Sequence, residues 1–190
     1  MIHGKDFRQQ GRKNFGMIGS WRQILSGSLT SPEALSRVFG IDEAPLRRVL
    51  DRYPARINPS YLSLIKEKGD VLYRQAVPDL REITEERGLE DPLDEEGRSP
   101  VPGLTHKYPD RVLFLVSGRC AMYCRFCSRK RKVGRPSMVT GETIREGLRY
   151  IGKSPQIRDV LLSGGDPLLL DNRTLDRILG ELRAMSHVEI

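Results

Sequence analysis

The second half of the chain alternates short apolar runs, unusual loops and helical patterns, and this order constrains the fold most. Val112–Val116 reads VLFLV, a continuous run of branched and aromatic residues that is typical of a strand buried on both faces. A loop and a helix capped by Thr140 follow, and residues 158–162 begin the same order again, with a helix capped by Asp171. The pattern predicts an α/β fold with parallel strands, in which His187–Ile190 begins a third strand.

The first half of the chain reads instead as a series of short helices. Ser31 and Pro32 mark the start of one helix and Gly40 its end, and the pair Asn58–Pro59 repeats the start signal. Residues 97–111 contain prolines and glycines that predict a loop between two regions. We therefore expect a helical region over residues 1–97 and an α/β domain over residues 98–190.

All three cysteines of the chain lie in one loop, at Cys120, Cys124 and Cys127. The chain shows no secretory signal and no membrane-spanning run, so we expect a cytoplasmic protein, in which clustered thiols favour a metal or redox site. Three cysteines that hold a 4Fe-4S cluster leave one iron open for a small molecule. Two alternatives stay open: three buried free thiols, and a zinc site completed by His106 or by a second chain.

The surroundings of the cysteines are strongly basic. Seven Lys and Arg residues and no acid lie between Arg119 and Arg135, in a chain of net charge +7. This asymmetry favours an anionic partner near the cysteines, although a solvated basic loop is the plainer interpretation. The run SRKRK is also compatible with a nucleic-acid patch, but few aromatic residues interleave it.

A glycine turn follows the second predicted strand, with Gly164 and Gly165 between Ser163 and Asp166. Glycine lets the backbone approach a ligand closely, and a carboxylate here can face an ammonium group. The alternative is a plain tight turn between a strand and a helix. Loops after parallel strands meet at one edge of a sheet, so we expect this turn beside the cysteine loop.

The three-cysteine motif after a first strand resembles the cluster motif of the radical S-adenosylmethionine (radical SAM) superfamily, and Tyr123 before the second cysteine fits it too. Residues 99–134 and 154–190 are similar to the lysine 2,3-aminomutase family, as are the shorter stretches INPSYLSLI and RQAVPDLREI of the helical half. The resemblance implies an isomerase on a partial (β/α) barrel, which moves the amino group of lysine from C2 to C3.

The same resemblance implies the cofactors and the partners. Cys120, Cys124 and Cys127 would bind a 4Fe-4S cluster, S-adenosylmethionine would chelate the open iron, and flavodoxin or ferredoxin would supply the electron. The resulting 5′-deoxyadenosyl radical would take a hydrogen from lysine, held as an imine of pyridoxal phosphate (PLP). No membrane partner is implied, and a full-length enzyme would form a homo-oligomer.

Further site residues come from the same resemblance. The turn Ser163, Gly164, Gly165 and Asp166 would contact S-adenosylmethionine. Arg129 would bind the carboxylate of the substrate, for which its planar fork is suited. Lys107 and Arg111 would hold the PLP phosphate.

The sequence departs from the family at several points. Lys107 stands where lysine aminomutase has an arginine, and Phe126 where it has a histidine. The lysine that forms the imine has no match in this chain, and the family continues beyond Ile190, so we expect a truncated chain that does not carry out the amino shift alone and cleaves S-adenosylmethionine slowly at most. Two rival functions stay open: a radical SAM enzyme acting on a lysine of translation factor P, and a non-catalytic basic metal-binding protein that contacts nucleic acid.

Overall fold

The computed structural model describes residues 20–85 and 87–189, which contacts divide into two units. The helical unit contains the residues up to Gly88 together with the segment Ala121–Arg131. The sheet unit contains Leu89–Cys120 and the residues from Lys132 onward. The first division falls between Gly88 and Leu89, and the segment Ala121–Arg131 packs with the helices; a domain boundary between residues 97 and 98 stays a prediction. No helix in the described ranges has both the length and the apolar character needed to span a bilayer.

The helical unit is built from short helices that begin and end where local signals place them. Ser31 caps the second helix by accepting a hydrogen bond from Ala34 N at 3.2 Å, and Gly40 ends it in the left-handed region with φ 64°. The helical pattern that follows Asp70 breaks at Pro78, as expected. The helices are α1 (Trp21–Ser26), α2 (Pro32–Phe39), α3 (Glu43–Arg52), α4 (Pro59–Leu62), α5 (Val71–Ala76) and α6 (Arg81–Thr84).

Residues from the stretches between helices and from the segment Ala121–Arg131 also pack against the core of the helical unit. Leu29 and Ile57 exchange two backbone hydrogen bonds of 2.9 and 3.0 Å, which ties the chain before α2 to the chain before α4. Met122, from the segment Ala121–Arg131, packs against the same apolar core. The buried residues of this core include Leu35, Phe39, Leu46, Ile57, Leu62, Ile65 and Ala76.

The sheet unit confirms the expected α/β class. Strand β2 lies between the other two strands, antiparallel to β1 and parallel to β3. Thr140 and Asp171 cap the two helices, as predicted. The elements are β1 (Leu104–Tyr108), β2 (Arg111–Ser117), β3 (Asp159–Gly164), α7 (Gly141–Gly152) and α8 (Asn172–Arg183), with 3-10 turns at Pro136–Met138 and Pro167–Leu169.

Two local predictions for the sheet are wrong. Residues 104–108 form β1 rather than a loop, because they pair with β2 across the turn at Pro109 and Asp110, and this pairing is invisible in local composition. His187–Glu189 is not a strand: Glu189 N donates to Arg158 O at 2.8 Å, beside the start of β3. Ile190 lies outside the described residues.

The core of the sheet unit lies between the sheet and its two helices. Phe114 of β2 is fully buried, and a Cβ added to Gly147 of α7 would overlap its ring, so only glycine allows this close packing. Strand β2 is buried as predicted, whereas β3 is only half-buried and leaves Leu161 exposed. The other buried members include Val112, Val116, Ile144, Leu148, Ile151, Ile178 and Leu182.

Candidate metal centre

The three cysteines fall on both sides of the division between the units. Cys120 is the last residue of its stretch of the sheet unit, whereas Cys124 and Cys127 belong to the helical unit. None of the three is in a disulfide, and all are of intermediate burial. Within residues 20–85 and 87–189, no group of three His, Cys, Asp or Glu side chains has the arrangement of a ready-made metal site.

Backbone hydrogen bonds hold the segment Ala121–Arg131 on both sides of Cys124. Asn58 Nδ2 donates to Ala121 O at 3.1 Å, and Tyr123 N donates to Arg56 O at 3.0 Å. Arg125 N donates to the carbonyl oxygen of Gln75 at 2.8 Å. These bonds place the residues next to Cys124 on the connecting chain around α4 and α5.

Arg125, between the second and third cysteines, is the most buried cation of this segment, at 6% exposure. Its Nε and Nη2 atoms form two bonds to the Glu82 carboxylate, of 3.0 and 2.8 Å. Nη1 donates to Pro54 O at 2.8 Å, and Nη2 also donates to Tyr53 O at 3.3 Å. A guanidinium is suited to this position because its planar fork matches a carboxylate bidentately.

The same carboxylate receives a second cation. Lys130 Nζ lies 3.2 Å from Glu82 Oε2 and 4.4 Å from the centroid of the Tyr53 ring. Asp79 N donates to Glu82 Oε1 at 3.0 Å. Arg125 and Lys130 thus flank Cys127 in the sequence and share one acid of α6.

The thiols of the helical unit are influenced by burial and by each other. Burial, followed by the charge of Cys127, raises the pKa of Cys124, and a backbone hydrogen bond at Cys124 opposes this shift. Arg129 N donates to Cys127 Sγ at 3.4 Å, and Cys127 N donates to Cys124 O at 3.1 Å. Because a raised pKa keeps the Cys124 thiol protonated at neutral pH, metal binding there must release a proton.

The glycine turn of the sheet unit is packed against the end of β2, directly before Cys120. A Cβ added to Gly164, whose φ is 113°, would overlap the carbonyl of Ser117, and one added to Gly165 would overlap the backbone of Arg119. Gly165 N donates to Ser117 O, and Asp166 N donates to Arg119 O at 2.7 Å. The two glycines therefore allow a close approach of the turn to the chain that leads into Cys120.

The other residues of the turn have local partners. Ser163 lies in β3 and pairs with Leu115 of β2. The Asp166 carboxylate accepts from Leu168 N at 3.0 Å and so caps the 3-10 turn that follows. Contact of these residues with S-adenosylmethionine stays a prediction.

The predicted phosphate-binding pair lies at the other end of the strands. Arg111 Nε is 2.6 Å from Asp159 Oδ2, where β2 and β3 begin, whereas the glycine turn follows their carboxyl ends. Lys107 is exposed on β1, near the turn into β2. Their role toward PLP, like that of the half-buried Arg129 toward a substrate carboxylate, stays a prediction.

The zinc and nucleic-acid alternatives find little support in these contacts. Both ring nitrogens of His106 have partners, Tyr150 OH at 2.8 Å and Pro109 O at 3.3 Å. Arg125 and Lys130 are paired with Glu82, and Lys132 Nζ is 3.5 Å from Glu96 Oε1. The basic stretch is thus partly neutralised by acids that are distant in the sequence.

The donor chemistry fits an iron–sulfur cluster. Three half-buried thiols within eight residues are soft ligands, and the described contacts include a backbone N–H directed at Cys127 Sγ, of the kind that tunes such clusters. The three cysteines stay predicted ligands, and the sequence patterns did not single out Arg125 or Glu82. The only signal for Glu82 was that it lies in RQAVPDLREI, a stretch included in the family resemblance.

Comparisons with known proteins show similarity to radical SAM proteins and to amino-acid 2,3-aminomutases. Residues 114–188 match the family model described as the Radical SAM superfamily. The L-lysine 2,3-aminomutase of Methanococcus maripaludis is 45% identical over 186 residues, which cover 91% of this chain and 43% of that protein. The L-lysine 2,3-aminomutase of Clostridium subterminale is 41% identical over 177 residues, covering 90% of this chain and 42% of that protein.

A relative with a different amino acid in its name is also similar. The glutamate 2,3-aminomutase of Clostridioides difficile is 34% identical over 176 residues, which cover 90% of this chain and 42% of that protein. The chain thus spans less than half the length of these curated relatives.

Proposed function

We propose that this chain, which belongs to the radical SAM superfamily, holds a 4Fe-4S cluster through Cys120, Cys124 and Cys127 for an aminomutase reaction. The observation that carries the proposal is the similarity to L-lysine 2,3-aminomutases over about nine-tenths of the chain, in which none of the three cysteines is in a disulfide. When bound, the reduced cluster would supply the electron that cleaves S-adenosylmethionine. Flavodoxin or ferredoxin is the proposed source of that electron.

The residues of the chain would contribute by binding and orientation. The cysteines would leave one iron open, and Ser163, Gly164, Gly165 and Asp166 would lie toward the amino group of S-adenosylmethionine. Arg129 would pair with the carboxylate of the amino-acid substrate, because its guanidinium offers two parallel donors. Lys107 and Arg111 would take the phosphate of PLP, which requires Arg111 to exchange Asp159 for that phosphate.

Lysine is the proposed substrate, with its amino group moved from C2 to C3. The L-lysine relatives reach 45% identity, whereas the glutamate relative reaches 34%, which favours lysine. The reaction would take place in the reducing cytoplasm, where thiols stay available to a cluster. A homo-oligomer is proposed for the enzyme as a whole.

Anaerobic reconstitution with iron and sulfide tests the cluster. We expect about four irons per chain and a brown chromophore, as for a site with one cube-shaped cluster. Addition of S-adenosylmethionine and dithionite is then expected to release 5′-deoxyadenosine, and Cys124→Ala is expected to abolish this release. One zinc per chain without visible absorption would contradict the proposal.

PLP binding is tested separately. Titration of the reconstituted chain with PLP, followed by absorbance, should give weaker binding for Lys107→Ala and Arg111→Ala than for the parent. Asp159→Asn is the matched control, because it removes the partner of Arg111 and leaves both cations in place. Equal affinity in all variants would exclude this pair as the phosphate site.

A further inference from the structure

Glu82 is placed to control the segment that carries two of the three cysteines. Its side chain is only 11% exposed, yet it binds two cations of that segment, Arg125 and Lys130. Four hydrogen bonds converge on this one carboxylate: two from Arg125, one from Lys130 and one from the backbone N–H of Asp79. The contact joins residues that are 43 and 48 positions apart in the sequence.

The placement of these bonds along the segment is specific. Arg125 lies between Cys124 and Cys127, and Lys130 lies three residues after Cys127. Glu82 therefore fixes the backbone on both sides of Cys127 and immediately after Cys124. The carbonyl groups of Tyr53 and Pro54 accept further hydrogen bonds from the same guanidinium and help to fix its orientation.

Net stability alone is a weak explanation for such a pair. A buried ion pair contributes little to folding compared with apolar residues of the same volume, because desolvation offsets the attraction. What the pair provides is a defined geometry, since a bidentate fork tolerates few orientations. Groups that must bind a metal need such support from residues that do not touch it.

We propose that Glu82 is a positioning residue, which holds Ala121–Arg131 through Arg125 and Lys130 in the conformation that presents the Cys124 and Cys127 thiols to metal. The identity of that metal group as a 4Fe-4S cluster rests on the proposed function, whereas the held conformation of the two thiols does not. Cys120 belongs to the other unit.

Alkylation of the metal-free chain tests the conformation directly. The full chain is treated with iodoacetamide, and modification of each cysteine is followed by peptide mass spectrometry. In Glu82→Gln we expect Cys124 and Cys127 to react about tenfold faster than in the parent, because loss of one partner leaves a buried cation uncompensated and opens the segment locally. Cys120 is the internal reference, and its rate should be unchanged.

Glu189→Gln is the matched control. Glu189 also makes a bidentate contact with an arginine, with bonds of 3.0 and 2.9 Å to Arg158, but that contact is exposed and lies in the sheet unit. All three cysteines should react at the parent rates in this variant. A merely destabilised chain would instead expose the three thiols to the same degree.

A second variant provides the test if Glu82→Gln shows no cooperative unfolding transition and is therefore not properly folded. Arg125→Lys retains the charge and removes the fork, so it should accelerate Cys124 and Cys127 selectively while the thermal unfolding transition persists. In the double variant Glu82→Gln with Arg125→Lys, the increase in alkylation rate should be smaller than the two single effects combined, because both changes remove the same interaction. Parent-like rates at Cys124 and Cys127 in Arg125→Lys would overturn the proposal, as would additive effects.

Metal loading separates this inference from the proposed function. If the parent takes up a 4Fe-4S cluster, Glu82→Gln should retain less iron under the same conditions and show an altered electron paramagnetic resonance signal when reduced. Equal iron content with an identical signal would overturn the positioning role and leave the cluster intact. A parent that binds no iron while the selective alkylation persists would refute the cluster and not the positioning.

Discussion

Cys120 and the pair Cys124 and Cys127 are held in different ways, although only three residues separate the first two. The chain before Cys120 is held by backbone against backbone, where the glycine turn meets Ser117–Arg119. The segment after it has backbone hydrogen bonds as well, but it is also held by buried side chains, above all by the contact of Arg125 with Glu82. A backbone contact depends on the absence of a Cβ, whereas a side-chain contact depends on charge and fork geometry. The two regions should therefore respond to different substitutions.

Arg125→Met should have the largest effect. It leaves the Glu82 carboxylate with a single cation and removes donors from two carbonyl groups, so we expect the free energy of unfolding to fall by about 3 kcal/mol. Urea unfolding followed by the fluorescence of Trp21, the only tryptophan of the chain and a residue of the helical unit, measures the change.

Arg47→Met is the control for that change. Arg47 also contacts two carboxylates, of Glu33 and Glu43, but all three side chains are exposed. We expect little change in stability, because water screens such pairs. Equal losses in the two variants would show that burial of Arg125 is not what matters.

Gly164→Ala should come next and should act on the other cysteine. The added methyl group would overlap the Ser117 carbonyl at a positive φ, and we expect a loss of about 3 kcal/mol from overlap and strain together. Cys120 should be alkylated faster in this variant, with little change at Cys124 and Cys127, the reverse of the pattern for Glu82→Gln. Acceleration of all three thiols would contradict the separation.

Gly40→Ala measures the backbone strain of alanine at a positive φ without steric overlap of the added methyl group. Gly40 also has a positive φ, but nothing lies within 4 Å of its added Cβ. Only the backbone penalty of about 1 kcal/mol should appear. The difference between the two alanine variants measures how tightly the turn meets the end of β2.

Asn58→Ala should have an intermediate effect. It removes both the cap of α4, a 2.8 Å bond from Tyr61 N, and the bond to Ala121 O, so we expect a loss of about 2 kcal/mol. Asn58→Asp keeps the cap and removes only the amide donor, so its loss should be about 1 kcal/mol. Equal stability of Asn58→Asp and the parent would show that the bond to the cysteine segment contributes nothing.

Asp159→Asn should have the smallest effect. Its ion pair with Arg111 is about half exposed, at the ends of β2 and β3 opposite the cysteines, so we expect about 0.5 kcal/mol, decreasing with salt. Alkylation of all three cysteines should match the parent. Selective acceleration at Cys120 would mean that β2 transmits changes along its length.

Helix ends and buried strands were predictable because their signals are local. Ser31 with Pro32, Thr140 and Asp171 are caps that need only the next few residues, and VLFLV needs only its own apolar character. Strand β1 was missed because its pairing depends on β2, whereas its flanking glycine and prolines are typical of loops. The expected strand at His187–Glu189 was wrong because four residues carry too little pattern to exclude a turn.

For the candidate site, the sequence by itself determined the spacing of the predicted donors and the resemblance to known aminomutases. The spacing of Cys120, Cys124 and Cys127 and the surrounding resemblance are properties of the linear chain, and they need no folded partner. The tertiary structure decided which residues hold those donors. Glu82 meets Arg125 across 43 residues, and Gly164 meets Ser117 through backbone atoms alone. No local periodicity or composition in the sequence predicts either contact, because each forms only when packing brings distant stretches of the chain together.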